Sequence, residues 1–337
     1  MAVVLLVVPA ISWALRSSTG SIFSVIFIQI KYVSAAIFWQ ANRKLSQRVF
    51  GALGPALYLC FMRPLAEQTI LITGATSGLG LALAQALAER GATVLLHGRD
   101  NLRGRAILDE ISQETGNGKL QFYCADLASL KQTAELGRRV ATEQQRLDVL
   151  VNNAAVGFGK DSSKREMSQD GYELRFAVNY LASHLLAQGL LPKLKASAPA
   201  RIVNVASVGQ APLNFDDIMS ERGYSGVTAY RQSKLAMVAW TFDLAAQLAN
   251  TGVTVNTLHP ASLMPTKLVL EAGWSVMSTV EEGLEATIRL VVDPALECVT
   301  GKYFDGLREA KANAQAYDLE VRRELAEVTQ ALITAAI

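Results

Sequence analysis

Tyr230 and Lys234 stand four residues apart in Tyr230-Arg231-Gln232-Ser233-Lys234, a spacing that projects a phenol and an ammonium from one face of a helix. A tyrosine titrates near pH ~10, and a cation within about 4 to 6 Å lowers this by roughly 1 to 3 units, toward the working range of a general acid or base. By itself such a pair is more often an ordinary surface contact. Ser207 raises its significance, because it lies just past a predicted strand at 201–205 and its hydroxyl can return to the same sheet edge as Tyr230. Asn179, in Phe176-Ala177-Val178-Asn179, adds a fourth polar group.

A second group suits phosphate. Thr73-Gly74-Ala75-Thr76-Ser77-Gly78-Leu79-Gly80 follows a short apolar run and opens a helical one. Backbone amides at a helix N-terminus can face a pyrophosphate, and glycines allow the tight turn and close approach this needs. Gly74, Thr76, Ser77, Gly78, Leu79 and Gly80 are therefore candidate dinucleotide contacts. At the end of the second strand, where an acid would bind the adenosine ribose of NAD, stand Gly98 and Arg99. A guanidinium there suits a 2′-phosphate, so NADP(H) is expected in preference to NAD(H), with Arg103 as a second contact. Asp100 is expected to cap the helix beginning near Asn101.

The elements that must position these groups are legible as alternation. Short strand-like runs at 69–73, 93–96, 120–124, 149–151, 201–205 and 253–258 are separated by helical stretches, the pattern of β-α units building a parallel sheet. Gly91, Gly116 and Gly252 stand where the helical stretches 81–89, 102–115 and 229–250 should end. The stretch 310–337 reads as a charged helix with Tyr317, Val321, Leu325 and Val328 on one stripe. The expected fold is α/β: a Rossmann-type doubly wound parallel sheet of about seven strands flanked by helices, one domain over 67–337, preceded by an apolar N-terminal extension.

With these residues in this order, the chain resembles the short-chain dehydrogenase/reductase family over nearly all of 67–310. Within it, Gly98-Arg99-Asp100, Asn214-Phe215-Asp216-Asp217 and Leu258-His259-Pro260 resemble the retinol-dehydrogenase-like branch and its bacterial relatives. The resemblance implies that Tyr230 transfers a proton, Lys234 holds the nicotinamide ribose and lowers the tyrosine's pKa, Ser207 bonds the reacting oxygen and Asn179 orders a relay water. It also implies cofactor contacts at Asp126 and Leu127 of Ala125-Asp126-Leu127, at Asn153 of Asn152-Asn153-Ala154-Ala155, and at Pro260. Two positions depart from the family pattern. Ala155 replaces a glycine, which is expected to tighten that turn, and His259-Pro260-Ala261 replaces Pro-Gly, with His259 read as structural.

The implied activity is hydride transfer between NADP(H) and a small lipophilic alcohol, aldehyde or ketone; the alternative is a non-redox isomerase or lyase, or a cofactor-binding regulatory protein. A substrate lid is expected over 262–278, where Leu263, Met264, Leu268, Val269, Leu270, Trp274, Val276 and Met277 offer an apolar wall. A homodimer or homotetramer is expected from the resemblance alone.

Thirty-two Lys and Arg nearly balance thirty Asp and Glu, so no basic field points to nucleic acid. Three histidines and three cysteines show no metal-ligand spacing, and no disulfide framework is read from the cysteines, so a reducing compartment is the default. Residues 1–66 contain no acid and six basic residues, a charge of +6 that leaves 2 − 6 = −4 for the remainder. Apolar segments at 1–15, 21–41 and 49–62 fall short of a clean membrane span: fifteen helical residues reach about 22 Å against a roughly 30 Å hydrocarbon core, and the second segment carries Lys31. Three readings stand: a membrane anchor with Arg43, Lys44 and Arg48 at a lipid surface, a cleaved targeting peptide that leaves a soluble cytoplasmic or organellar enzyme, or an apolar extension packed on the protein.

Overall fold

Ile70, Leu71 and Ile72 and their neighbours Val149, Leu150 and Val151 are wholly buried, which is why these strands are unbroken apolar runs: helices cover both faces of the sheet they build. The structure, a computed structural model, describes residues 62–337. The expectations placed on residues 1–61 lie outside the described residues, and the expected boundary at 66 falls within a 3-10 turn, Leu65–Glu67.

Six parallel strands form the frame: β1 (Thr69–Ile72), β2 (Thr93–Gly98), β3 (Leu120–Cys124), β4 (Val149–Asn152), β5 (Ala200–Val205) and β6 (Val253–His259). Two short strands follow, β7 (Tyr303–Asp305), parallel to β6, and β8 (Arg308–Ala310), antiparallel to β7. The order is β3-β2-β1-β4-β5-β6-β7-β8, so the chain reverses its direction of travel between β1 and β4. In such sheets ligands bind outside the carboxyl ends of the strands at that switch point. Apolar clusters lie on both sides, one around Leu71, Leu150, Ile202 and Leu235, the other around Ile70, Ile72, Leu83 and Val203.

The helices begin and end on local chemistry. They are α1 (Gly78–Glu89), α2 (Asn101–Thr115), α3 (Leu130–Glu143), α4 (Leu174–Phe176), α5 (Ala182–Ser197), α6 (Gly226–Gln247), α7 (Lys267–Glu271), α8 (Val280–Val292) and α9 (Leu319–Ala336). Asp100 accepts from the Arg103 amide, the cap expected for α2; Ser129, Ser225 and Thr279 cap α3, α6 and α8 likewise. Gly91, Gly116 and Gly252 all take positive φ, as their places after helical stretches require.

Three details differ from expectation. The helix carrying Tyr230 starts at Gly226, because Ser225 caps it, and stops at Gln247. The stretch 310–337 is not one helix: Ala310 closes β8, a 3-10 turn spans Ala314–Tyr317, and α9 begins only after Asp318 accepts from the Glu320 and Val321 amides. The cysteines also divide, Cys124 being free while Cys298 is disulfide-bonded.

Candidate active site

The loop after β1 is shaped by its glycines. Gly74 and Gly78 have φ of 66° and 53°, and a Cβ on Gly80 would stand 2.3 Å from the Gly74 carbonyl oxygen and 2.5 Å from Asn153 Nδ2. Ser77, at the N-cap of α1, makes no side-chain cap, so the first amides of α1 are not closed off by it. Asn153 locks the loop from the other side of the switch point: Nδ2 donates to the carbonyls of Thr73 (2.9 Å) and Gly74 (3.3 Å), while Thr73 Oγ1 accepts from the amides of Asn153 and Ala154. This backbone cradle fits the pyrophosphate of a dinucleotide. Ala155 does not take positive φ and is exposed, so the alanine meets no strain there.

His97 also serves this loop, in a role the sequence reading missed. Its Nδ1 accepts from the Gly74 amide (3.3 Å), which leaves Nε2–H to donate to the Ala125 carbonyl (3.1 Å). The imidazole thus ties the phosphate loop to the turn after β3, and burial holds its pKa down at about 4, against the raising effects of the Ala125 bond and Asp126. Beyond it Gly98 packs on Thr76, Arg99 is exposed, and Arg103 Nε donates to the Thr76 carbonyl (3.2 Å). Asp126 holds its own turn, accepting from the Ala128 amide and from Gln169 Nε2, with Leu127 buried behind it.

At the ends of β4, β5 and β6 stand the proton-handling groups. Tyr230 is buried, with the Ser207 hydroxyl beside its phenol. Burial pushes its pKa up, and the Ser207 hydroxyl pulls it back down in part. Lys234 is buried one turn on; Nζ donates to the Val205 carbonyl (2.8 Å) and stands 5.7 Å from the centroid of the Tyr230 ring. Burial drives its own pKa down to about 7.

Asn179 lies in a π-helical turn, Ala177–Leu181, joining α4 to α5. Its Oδ1 accepts from the Val156 amide (2.7 Å), and Nδ2 donates to the Val156 carbonyl (3.1 Å) and to Ser233 Oγ (2.9 Å). Ser233 in turn donates to the Tyr230 carbonyl (2.7 Å). Both amide hydrogens are committed, so the geometry makes the Asn179 side chain a positioning group that joins the loop after β4 to α6. Pro260 is buried after β6, and His259 Nε2 pairs with Ser262 Oγ at 3.0 Å, the structural role expected of it.

The segment 262–278 lies against the cradle. A Cβ on Gly78 would come within 3.0 Å of Thr266 Cγ2, and Met264 packs over Gly283 and beside Leu79. Leu263 takes a φ of 48°, a strained conformation for a branched side chain, at the sharp entry to this segment. Of the predicted apolar wall, Val269 is buried and Leu270, Trp274, Val276 and Met277 are exposed.

The short chain dehydrogenase family matches residues 68–273. Retinol dehydrogenase 13 of Mus musculus is 39% identical over 276 residues, covering 77% of this chain and 81% of that protein. Among solved structures, a Mycobacterium paratuberculosis protein aligns with a TM-score of 0.65 at 26% identity, covering 82% of this chain and 97% of that one. The NADP complex of Pseudomonas aeruginosa RhlG aligns at 0.58 and 28% identity, covering 72% and 97%. The chain belongs to the short-chain dehydrogenase/reductase family, in its retinol-dehydrogenase-like branch. It is accordingly a nicotinamide-dependent oxidoreductase acting on alcohol and carbonyl groups.

Proposed function

We propose that the protein uses NADP(H) to interconvert a lipophilic alcohol and its aldehyde or ketone, with Tyr230 as the general acid and base. The observation that carries this is the buried phenol of Tyr230 beside the Ser207 hydroxyl and the buried Lys234, at the sheet edge where the glycine cradle opens. Bound nicotinamide supplies or accepts the hydride, and its pyrophosphate would be held by the amides of Thr76 to Gly80, with Asp126, Leu127, Asn153 and Pro260 around it. In reduction Tyr230 Oη gives its proton to the carbonyl oxygen while Ser207 Oγ donates a hydrogen bond to that oxygen. Oxidation runs the same proton backwards. Lys234 beside the phenol favours its anion, and Asn179, through Ser233, fixes the turn of α6 on which the phenol sits.

Two features support the finer assignments. Arg99 is an exposed cation where an acid would bind the ribose of NAD, and RhlG, a structural relative, is known with NADP. Retinol as the named substrate of the mouse relative, with the apolar lid here, supports a lipophilic alcohol. Residues 1–66 are basic and apolar without an acid, which supports a contact with a membrane surface. Among the described residues no helix is long and apolar enough to cross a membrane.

The test follows NADPH and NADH absorbance with a panel that includes all-trans-retinal and aliphatic aldehydes. Tyr230→Phe should lose about 10²- to 10⁴-fold in turnover while still binding NADPH. Arg99→Ala should raise KM for NADPH about tenfold or more and leave that for NADH unchanged, as loss of a charge-assisted phosphate contact predicts. Undiminished turnover in Tyr230→Phe would reject the mechanism. Equal effects of Arg99→Ala on both cofactors would reject the NADP assignment.

A further inference from the structure

Three aromatic rings run in file from the reacting phenol to the surface. The Tyr230 ring meets Phe158 at 4.6 Å between centroids, tilted by 59°, and Phe158 stacks on Trp274 at 4.2 Å with only 19° between planes. Tyr230 is 8% exposed and Phe158 6%, whereas Trp274 is 38% exposed. With rings at contact distance no flat molecule fits between them, so access to the phenol along this file requires that one ring give way.

The two outer rings are held very differently. Phe158 belongs to a loop clamped at both ends: Arg175, itself wholly buried, donates from Nε to the Gly157 carbonyl (2.8 Å), and Gly226 N donates to the Ser162 carbonyl (2.6 Å). Arg175 is fixed in turn by Glu173, Glu166 and the Tyr224 hydroxyl. Gly226 lets α6 approach so closely that a Cβ there would stand 2.3 Å from the Phe158 carbonyl oxygen. Trp274, by contrast, follows Gly273, whose φ is 69°, and its amide makes one longer bond, to the Val269 carbonyl (3.3 Å). Its neighbours Val276 and Met277 are exposed.

We propose that Phe158 is the fixed face on which the unsaturated chain of the substrate lies, and that Trp274 is the ring this chain displaces. The inference rests on the reading of Tyr230 as the proton-transfer group. A planar conjugated chain placed against Phe158 replaces the stacking that the indole gave up, because offset-stacked π-systems attract beyond their buried area. A saturated chain of equal length recovers contact but not that attraction. Phe158 therefore selects for conjugated carbonyl compounds and the alcohols allylic to them, and Trp274 sets how strongly any substrate must compete to enter.

The experiment compares trans,trans-2,4-decadienal with decanal, which share a chain length, using the full chain and NADPH. Wild type should prefer the dienal in kcat/KM, and Phe158→Leu should lower that ratio about three- to tenfold, with Phe158→Tyr restoring it. Trp274→Ala, a change at an exposed position that leaves the fold intact, should lower KM for both aldehydes and keep the ratio. An unchanged ratio in Phe158→Leu, or KM values that do not fall in Trp274→Ala, overturns the inference. If wild type turns over both aldehydes and Tyr230→Phe neither, such a result condemns the aromatic assignment alone. If Tyr230→Phe stays active, or wild type turns over neither aldehyde, the activity reading itself fails and the inference falls with it.

Discussion

At the scale of single residues, burial is what tunes this site. A phenol taken out of water resists ionising and an amine taken out of water resists protonation, and Tyr230 and Lys234 shift in those opposite directions, the lysine to about 7. Burial therefore moves the two groups apart, because it disfavours both charged forms: the phenol holds its proton harder while the lysine gives its own up more readily. His97 shows the same physics applied to folding. Its folded pKa of about 4 lies below the 6.5 of an unfolded imidazole, so between these values the unfolded chain binds more protons. The stabilisation is complete above pH about 6.5 and is lost as pH falls toward 4. His184, half-buried beside the rings of Tyr180 and Trp240 and also held at about 4, adds a parallel share. Urea unfolding at pH 7.5 and pH 5 should thus show wild type losing stability on acidification and His97→Gln losing visibly less. Equal losses in the two proteins would refute the assignment of that share to His97.

At the scale of elements, function depends on loops that glycines let come close. Gly226→Ala must push the Phe158 carbonyl away from α6, so we expect a stability loss of about 1 to 3 kcal/mol, as for other overpacked sites, and a rise in the KM for aldehyde larger than that for NADPH. Steady-state kinetics with each substrate varied in turn reads the difference; equal changes would mean the loop does not belong to the carbonyl side. The strands, the phosphate loop and the Tyr230–Lys234 pair were legible because each is written in a short stretch: an apolar run, a glycine string, an i, i+4 spacing. The roles of His97, Arg175 and Phe158 were not. His97 acts by reaching from β2 to the loops after β1 and β3, a matter of strand register, and Phe158 gains its meaning from a partner 116 positions later, at Trp274. The late start of α9 was missed for a similar reason: Asn313 and Gln315 bond to Gln210 and Leu213, more than a hundred positions earlier, and hold the 3-10 turn Ala314–Tyr317 outside the helix.

At the scale of the whole molecule, the chain ends by sealing its own flank. Helix α9 lies against α6 and α3, burying Leu325, Thr329 and Ile333, and Arg322 pairs with Asp243 on α6 at 3.0 Å. Two tyrosines of the segment around Asn179 reach it: Tyr172 Oη donates to the Leu332 carbonyl (2.7 Å), and Tyr180 shares a hydroxyl–hydroxyl bond of 2.7 Å with Thr329. The second bond is wholly buried, with both residues at 1% exposure or less, so neither hydroxyl has water to fall back on. Thr329→Val keeps the shape and removes one partner, leaving the Tyr180 hydroxyl orphaned at a cost of about 1 to 3 kcal/mol. Tyr180→Phe should cost a similar amount by orphaning Thr329. The double variant removes both polar groups at once, and since two matched apolar surfaces replace a bonded pair almost neutrally, it should be more stable than either single one. Chemical denaturation of the four proteins measures this coupling directly. Additive losses in the double variant would show that the buried hydroxyls are satisfied independently, and that α9 is held by its apolar face alone.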